Sequence, residues 1–222
     1  MDVLMQENYD IHLSTAQSFT YPEFNRTIFS RVPRDRMHVE GSGEGYERDQ
    51  RNVARIIQTL DQHDPKKPFF IFNFFESPHA RYYFPTSAVI RTNYLKEFNY
   101  ARMDVDAFKR DIEGIRNRYI NSVHALDMNL APLWKYLEEH QIRDNTVVIF
   151  TGDHGEEFME KGRWGHNSEF VNEQVQPPLV IWVPDHAPGV DNRLSAHMDL
   201  TATLMPLLGV QNPATDYSFG FS

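Results

Sequence analysis

The chain has 222 residues, 41% of them hydrophobic and 13% aromatic, which suffices for one sizeable domain with an apolar core. Its formal charge of -9 at pH 7 argues against nonspecific nucleic-acid binding, which needs a basic surface, but leaves room for a local basic pocket for an anion. It contains no cysteine, which removes disulfides, thiolate metal sites and cysteine nucleophiles.

No apolar run approaches the length that crosses a bilayer, and the first residues lack the charged-then-apolar pattern of a signal segment. The apolar residues near Tyr9–Ser14 predict a strand. Pro22 to Phe29 predicts a short helix with proline in its first turn. Arg34–Gly45 is polar and glycine-rich and predicts a loop. Val53, Ile56, Ile57 and Leu60 then fall at helical spacing, ending before Asp64-Pro65.

Pro68–Phe75 is a continuous apolar run, the pattern of a strand buried on both faces of a parallel sheet. Ser77–Asn99 has no period and many aromatics; it predicts a long loop of the kind that often carries function. A long helical stripe follows in Ile115, Tyr119, Val123, Leu126, Leu130, Leu133 and Leu137, with Pro132 expected to kink it or to start a second helix. Thr146–Thr151 and Leu179–Val183 predict two further buried strands, and Asp199–Leu208 a closing helix with Gly209 just past its end.

This alternation predicts an α/β fold with a mostly parallel central sheet flanked by helices, all in one domain over residues 1–222. Such sheets bind ligands at the carboxyl ends of their strands. There the predicted strand ending at Thr151 runs into Gly152-Asp153-His154-Gly155-Glu156-Glu157. An aspartate beside a histidine can offer an oxygen and a nitrogen to one cation, and the glycines permit a sharp turn. The bland alternative is a solvated turn. His166, in Gly162-Arg163-Trp164-Gly165-His166-Asn167, is either an anion contact or general acid, or part of a surface loop with Trp164 packed inward. His79, in Glu76-Ser77-Pro78-His79, again follows a strand and is either a substrate contact or a packed loop histidine.

Together, Ser77-Pro78-His79, the helix YINSVHALDMNLAPLWKYLEEH, NTVVIFTGDHGEE, WGH, PLVIWVP and AHMDLTATLMPLLGV resemble the sulfatase family of the alkaline-phosphatase superfamily, over about residues 68–210. The segment YDIHLSTAQSFTYPEFNRTIF and the closing PATDYSFG are similar to membrane-anchored, sulfatase-like proteins of the Gram-negative inner membrane. The resemblance implies metal-dependent hydrolysis of sulfate or phosphate esters. Asp153 and His154 take the positions of paired ligands to a divalent ion (calcium, manganese, zinc or magnesium), and His79 and His166 those of residues facing the transferred anion. His197 and Asp199 match the motif opening the last helix, where Asp199 is expected to be an N-cap, and Asp127 is expected to be structural.

The resemblance also implies an acidic strand end and a nucleophile upstream of Met1, so the fold is expected to be incomplete at its N-terminus. Ser30-Arg31-Val32-Pro33-Arg34 does not supply the family's Cys/Ser-x-Pro-x-Arg signature, because its proline stands one place late. The expected substrate is an anionic ester, free or lipid-linked, with no nucleic-acid partner. The expected place is a periplasmic domain joined to the inner membrane by a preceding segment. A phospholipid head-group transferase and a non-catalytic periplasmic sensor stay open as alternatives.

Overall fold

The computed structural model describes residues 1–21 and 23–221. The chain divides into two compact units, Met1–Pro184 and Asp185–Ser222.

The first unit opens with a short helix α1 (Asp2–Gln6), followed by strand β1 (Asp10–Thr15). β1 is the centre of a parallel three-stranded sheet, with β2 (Met37–Val39) on one side and β3 (Phe69–Phe74) on the other. Side chains alternate across β1. Ile11 and Leu13 join a core with Phe19, Phe29, Val32, Phe70 and Phe72. Ser14 turns the other way, and its hydroxyl donates to Asn52 Oδ1 at 2.7 Å.

Asn52 belongs to helix α2 (Gly45–Asp61), whose start is held by Glu47, which accepts the Glu44 N–H at 2.9 Å. Ile56 and Leu60 of α2 pack with Leu137 of α3 (Val105–Glu139) and with Phe69 and Ile71 of β3 in a second core cluster. Asp104 caps α3 by accepting the Ala107 N–H at 2.8 Å.

β4 (Val148–Thr151) pairs antiparallel with β7 (Leu179–Trp182), and β5 (Glu157–Phe158) pairs antiparallel with β6 (Trp164–Gly165). A four-residue helix α4 (Asn172–Val175) precedes β7. In the second unit, α5 (His197–Leu207) ends before Gly209, whose φ of 88° suits a residue without Cβ.

The architecture is α/β with a parallel sheet and helices, but several local expectations change. Parallel pairing holds within β2-β1-β3, whereas β4 and β7 run antiparallel. Pro22 lies outside the described residues, and residues 24–31 form turns rather than a helix. Phe24 and Phe29 meet edge to face at 6.1 Å, and Phe29 also meets Phe72 at 5.0 Å, so aromatic packing on the sheet overrides a helical course. The predicted loop at 34–45 contains β2, because the open edge of β1 offers backbone partners to Met37–Val39; its last residue, Gly45, already opens α2. Pro132 gives up one backbone bond without splitting α3, since Leu133, Trp134 and Leu137 on the following turn are anchored in the core. β7 is not a buried strand: Val180 is 59% exposed and Leu179 41%.

Candidate functional site

The carboxyl end of β3 leads into the first part of the site. There Asp49 of α2, fully buried, accepts the N–H of Glu76 at 2.7 Å and of Ser77 at 2.8 Å. Burial pushes the Asp49 carboxyl up to about 6, against the pull of those two hydrogen bonds. The loop that follows carries His79 and lies along α3, which satisfies its backbone from a single helix face. Arg118 donates to the carbonyls of Arg81 (2.8 Å), Leu95 (3.0 Å) and Lys96 (3.1 Å). One turn on, Asn121 accepts the N–H groups of Ile90 (3.0 Å) and Arg91 (2.9 Å).

The end of β4 supplies the second part. Asp153 Oδ1 accepts the His154 N–H at 3.1 Å, and Asp153 Oδ2 lies 3.7 Å from His154 Nε2. His154 Nδ1 lies 2.8 Å from the Gly155 carbonyl. Gly155 donates its own N–H to Gln174 O at 2.7 Å and sits so close to the Glu173 backbone that no side chain fits there.

The β5–β6 ribbon supplies the third. Its base is the fully buried Glu157, whose Oε1 accepts the N–H groups of Lys161 (2.9 Å) and Arg163 (2.8 Å) and whose Oε2 accepts from the Gln174 amide at 2.8 Å. Burial by itself would raise this carboxyl, but the donors from Arg163, Gln174 and Lys161 prevail and hold it below its usual range. Trp164 packs inward, stacked on Phe108 at 4.8 Å. Arg163 is paired with Glu169 at 2.7 Å. His166 follows β6 directly, and its Nδ1 lies 2.9 Å from Glu156 Oε2.

The structure brings the predicted histidines together. The rings of His154 and His166 are 3.8 Å apart between centroids, and those of His79 and His166 are 6.5 Å apart. Asp153 adjoins His154 with its side chain 62% exposed. Asp127 lies exposed on α3. In the second unit, Asp199 is not the N-cap of α5: it sits inside the first turn and reaches back to accept the Ala196 N–H at 2.7 Å, while its other oxygen accepts the Phe221 N–H at 2.7 Å. Its role there is structural.

Donor atoms of His154, Glu156 and His166 lie within 4.8 Å of one another, a spacing a cation could bridge. Each oxygen of Glu156 already accepts one hydrogen bond, Oε2 from His166 Nδ1 and Oε1 from the Tyr82 hydroxyl at 2.6 Å, which fixes its direction. The Asp153–His154 pair also fits an ion. A gap of 3.7 Å between Oδ2 and Nε2 is what one ion at about 2 Å from each atom would span, and His154 Nδ1 is tied to a carbonyl, as it is in most metal-ligating histidines.

Asp49, Tyr82 and Glu156 are the site residues that sequence reasoning missed. Only Glu156 had a visible signal, as the first of the two acids that follow His154-Gly155.

Comparison with known proteins gives a consistent picture. A sequence profile of the family described as Sulfatase matches residues 5–210. Choline-sulfatase of Rhizobium meliloti (strain 1021) is 29% identical over 105 residues, covering 47% of this chain and 20% of that protein. Endo-4-O-sulfatase of Bacteroides thetaiotaomicron is 26% identical over 185 residues, covering 78% of this chain and 34% of its own. A structure solved with its substrate D-glucosamine-2-N,6-O-disulfate matches with a TM-score of 0.69 at 16% identity, covering 99% of this chain and 62% of that one. The C-terminal periplasmic domain of EcEptC from Escherichia coli matches with a TM-score of 0.56 at 19% identity, covering 82% of this chain and 50% of its own. The two structural likenesses show the fold. The chain spans less than two thirds of the length of each of these proteins.

Proposed function

The chain belongs to the sulfatase family, and from that premise we propose that it supplies one side of an active site for metal-dependent hydrolysis of sulfate or phosphate esters. The observation that carries this reading is the convergence of His79, His154 and His166, from three separate loops, with Asp153 beside them. Asp153 and His154 hold the ion; His79 and His166 face the transferred anion. A bound divalent ion would polarise the ester oxygen and lower the pKa of an attacking hydroxyl or water. The chain's own histidines, when protonated, stabilise charge growing on the transferred group and can hand a proton to the leaving alcohol. The nucleophile comes from outside residues 1–222, which agrees with the partial span of the relatives.

The substrate is an anionic ester, free or lipid-linked. A sulfated sugar accompanies one fold relative, and the periplasmic domain of another supports placing this chain in the periplasm. Attachment to the inner membrane would run through a further segment, since no helix among the described residues is long and apolar enough to cross a membrane.

The test is turnover of aryl sulfate and aryl phosphate by a protein containing these residues in full-length context, with and without added divalent metal. Metal-dependent turnover that disappears in Asp153→Ala and His154→Ala is the expected result. No metal-dependent turnover of either ester would overturn the reading and favour a non-catalytic domain.

A further inference from the structure

His79, His154 and His166 share one hydrogen-bonding habit. Nδ1 lies 2.8 Å from Ala80 O in His79, 2.8 Å from Gly155 O in His154 and 2.9 Å from Glu156 Oε2 in His166. Carbonyl and ionised carboxylate oxygens only accept, so Nδ1 carries the proton in each ring, and Nε2 of the neutral ring keeps a lone pair. For His79 and His154 the acceptor is a neighbouring main-chain carbonyl, which any sequence provides. For His166 it is a side chain.

That side chain is itself constrained. Glu156 is 12% exposed, and the Tyr82 hydroxyl donates to its second oxygen at 2.6 Å. Tyr82 is fully buried between Phe98, stacked at 5.5 Å, and Tyr119, edge-on at 5.4 Å. Its backbone has φ of 56°, a costly region for a bulky residue, so the surrounding packing determines where its hydroxyl points. Burial and the Glu156 charge hold the phenol far above its usual range, so it stays a donor.

We infer that Glu156 is the positioning residue for His166 and Tyr82 the positioning residue for Glu156. The chain Tyr82–Glu156–His166 fixes the imidazole as the Nδ1–H tautomer and leaves Nε2 uncommitted: its lone pair can meet an ion, and once protonated its N–H can donate to the anion. This rests on the proposed role of His166 only for what Nε2 meets; the tautomer follows from the hydrogen bonds alone. It also gives Glu156 a role distinct from metal coordination.

The experiment is two-bond proton–nitrogen NMR on the chain labelled with nitrogen-15 histidine, at a pH well above the ordinary imidazole range. Wild-type His166 is expected to show a protonated Nδ1 and a bare Nε2. Glu156→Ala should move it to the Nε2–H form that an unconstrained imidazole favours, and Tyr82→Phe should move it part of the way. His124 and His140, whose Nδ1 atoms face the Ala88 and Tyr136 carbonyls, report whether a variant is still folded. A wild-type Nε2–H tautomer overturns the inference, as does an unchanged His166 in a folded Glu156→Ala protein. If Glu156→Ala unfolds, the wild-type spectrum and Tyr82→Phe decide. Zinc alone should leave the Nδ1–H signal in place; its loss on zinc addition would make Glu156 and His166 Nδ1 ligands and overturn the positioning role. Inorganic sulfate, added separately at a pH below the ordinary imidazole range, where Nε2 carries a proton and can donate, should shift His166 Nε2. Absence of that shift counts against the anion-contact reading while leaving the tautomer assignment standing.

Discussion

His154 and His166 face each other ring to ring, with centroids 3.8 Å apart and planes inclined by 31°. One comes from the turn after β4 and the other from the end of the β5–β6 ribbon. Their approach brings the proposed ion-holding group and the proposed anion-facing group within reach of one bound ester.

Asp153 and His154 are adjacent ligands, and a firm site needs three or four protein groups. Calorimetric titration of residues 1–222 with zinc, manganese or calcium should therefore show binding weaker than about 1 µM, abolished by Asp153→Ala. Micromolar or tighter binding at a site containing Asp153 would mean that this chain alone holds a complete ligand set.

Asp49 should make the protein less stable as pH rises through its range. Its folded carboxyl titrates at about 6 and its unfolded one near 3.8, so the native state holds the extra proton between those values. Stability from this group is present at low pH and declines as pH rises, by about 3 kcal/mol in all. Urea melts of wild type and Asp49→Asn across that window should show the gap moving in the variant's favour. Movement the other way would show that the Glu76 and Ser77 hydrogen bonds outweigh burial.

Glu157 should behave with the opposite sign. Its folded carboxyl is held below the ordinary value, so its contribution is present above the unfolded pKa and is lost as pH falls through the folded one. Glu157→Gln turns an amide donor toward groups that already donate, and should cost about 1–3 kcal/mol at neutral pH. A denaturation midpoint unchanged from wild type would refute the idea that this carboxylate organises the ribbon.

How much of this was legible beforehand depended on what each residue had to declare. The runs at Pro68–Phe75, Thr146–Thr151 and Leu179–Val183 announced strands because they are apolar at nearly every position. They could not announce direction, and β7 runs antiparallel to β4. Met37–Val39 is too short for its apolar–polar–apolar alternation to announce a strand; its strand exists because Leu13–Thr15 offers an edge. Asp153, His154 and His79 could be named from residue type and position after strands, and His166 from its glycine-bounded segment Gly162–Asn167. Glu156 and Glu157 are adjacent and chemically identical, and only the fold turns one toward Tyr82 and His166 and the other into the base of the ribbon.

Arg118 is the clasp between α3 and the loop carrying His79. Burial holds its guanidinium below its usual range, and it faces three carbonyls and the Phe84 ring at 5.4 Å. Arg118→Ala should remove three part-buried, charge-assisted hydrogen bonds worth about 1.5–3 kcal/mol each before relaxation, and Arg118→Lys should not restore them, lacking the planar fork. Limited proteolysis is the measurement. Cleavage within residues 77–99 should rise in both variants, and an unchanged digestion pattern would show that the loop is held by other contacts.

The uncovered aliphatic row of β7 carries a colloidal consequence. Leu179 and Ile181 on one face and Val180 on the other leave an adhesive apolar strip on each side of a strand that, among the described residues, pairs with β4 alone. At low ionic strength the formal charge of -9 keeps copies of the chain apart. Added salt screens that repulsion and leaves the strips' stickiness intact, so solubility should fall as salt is raised.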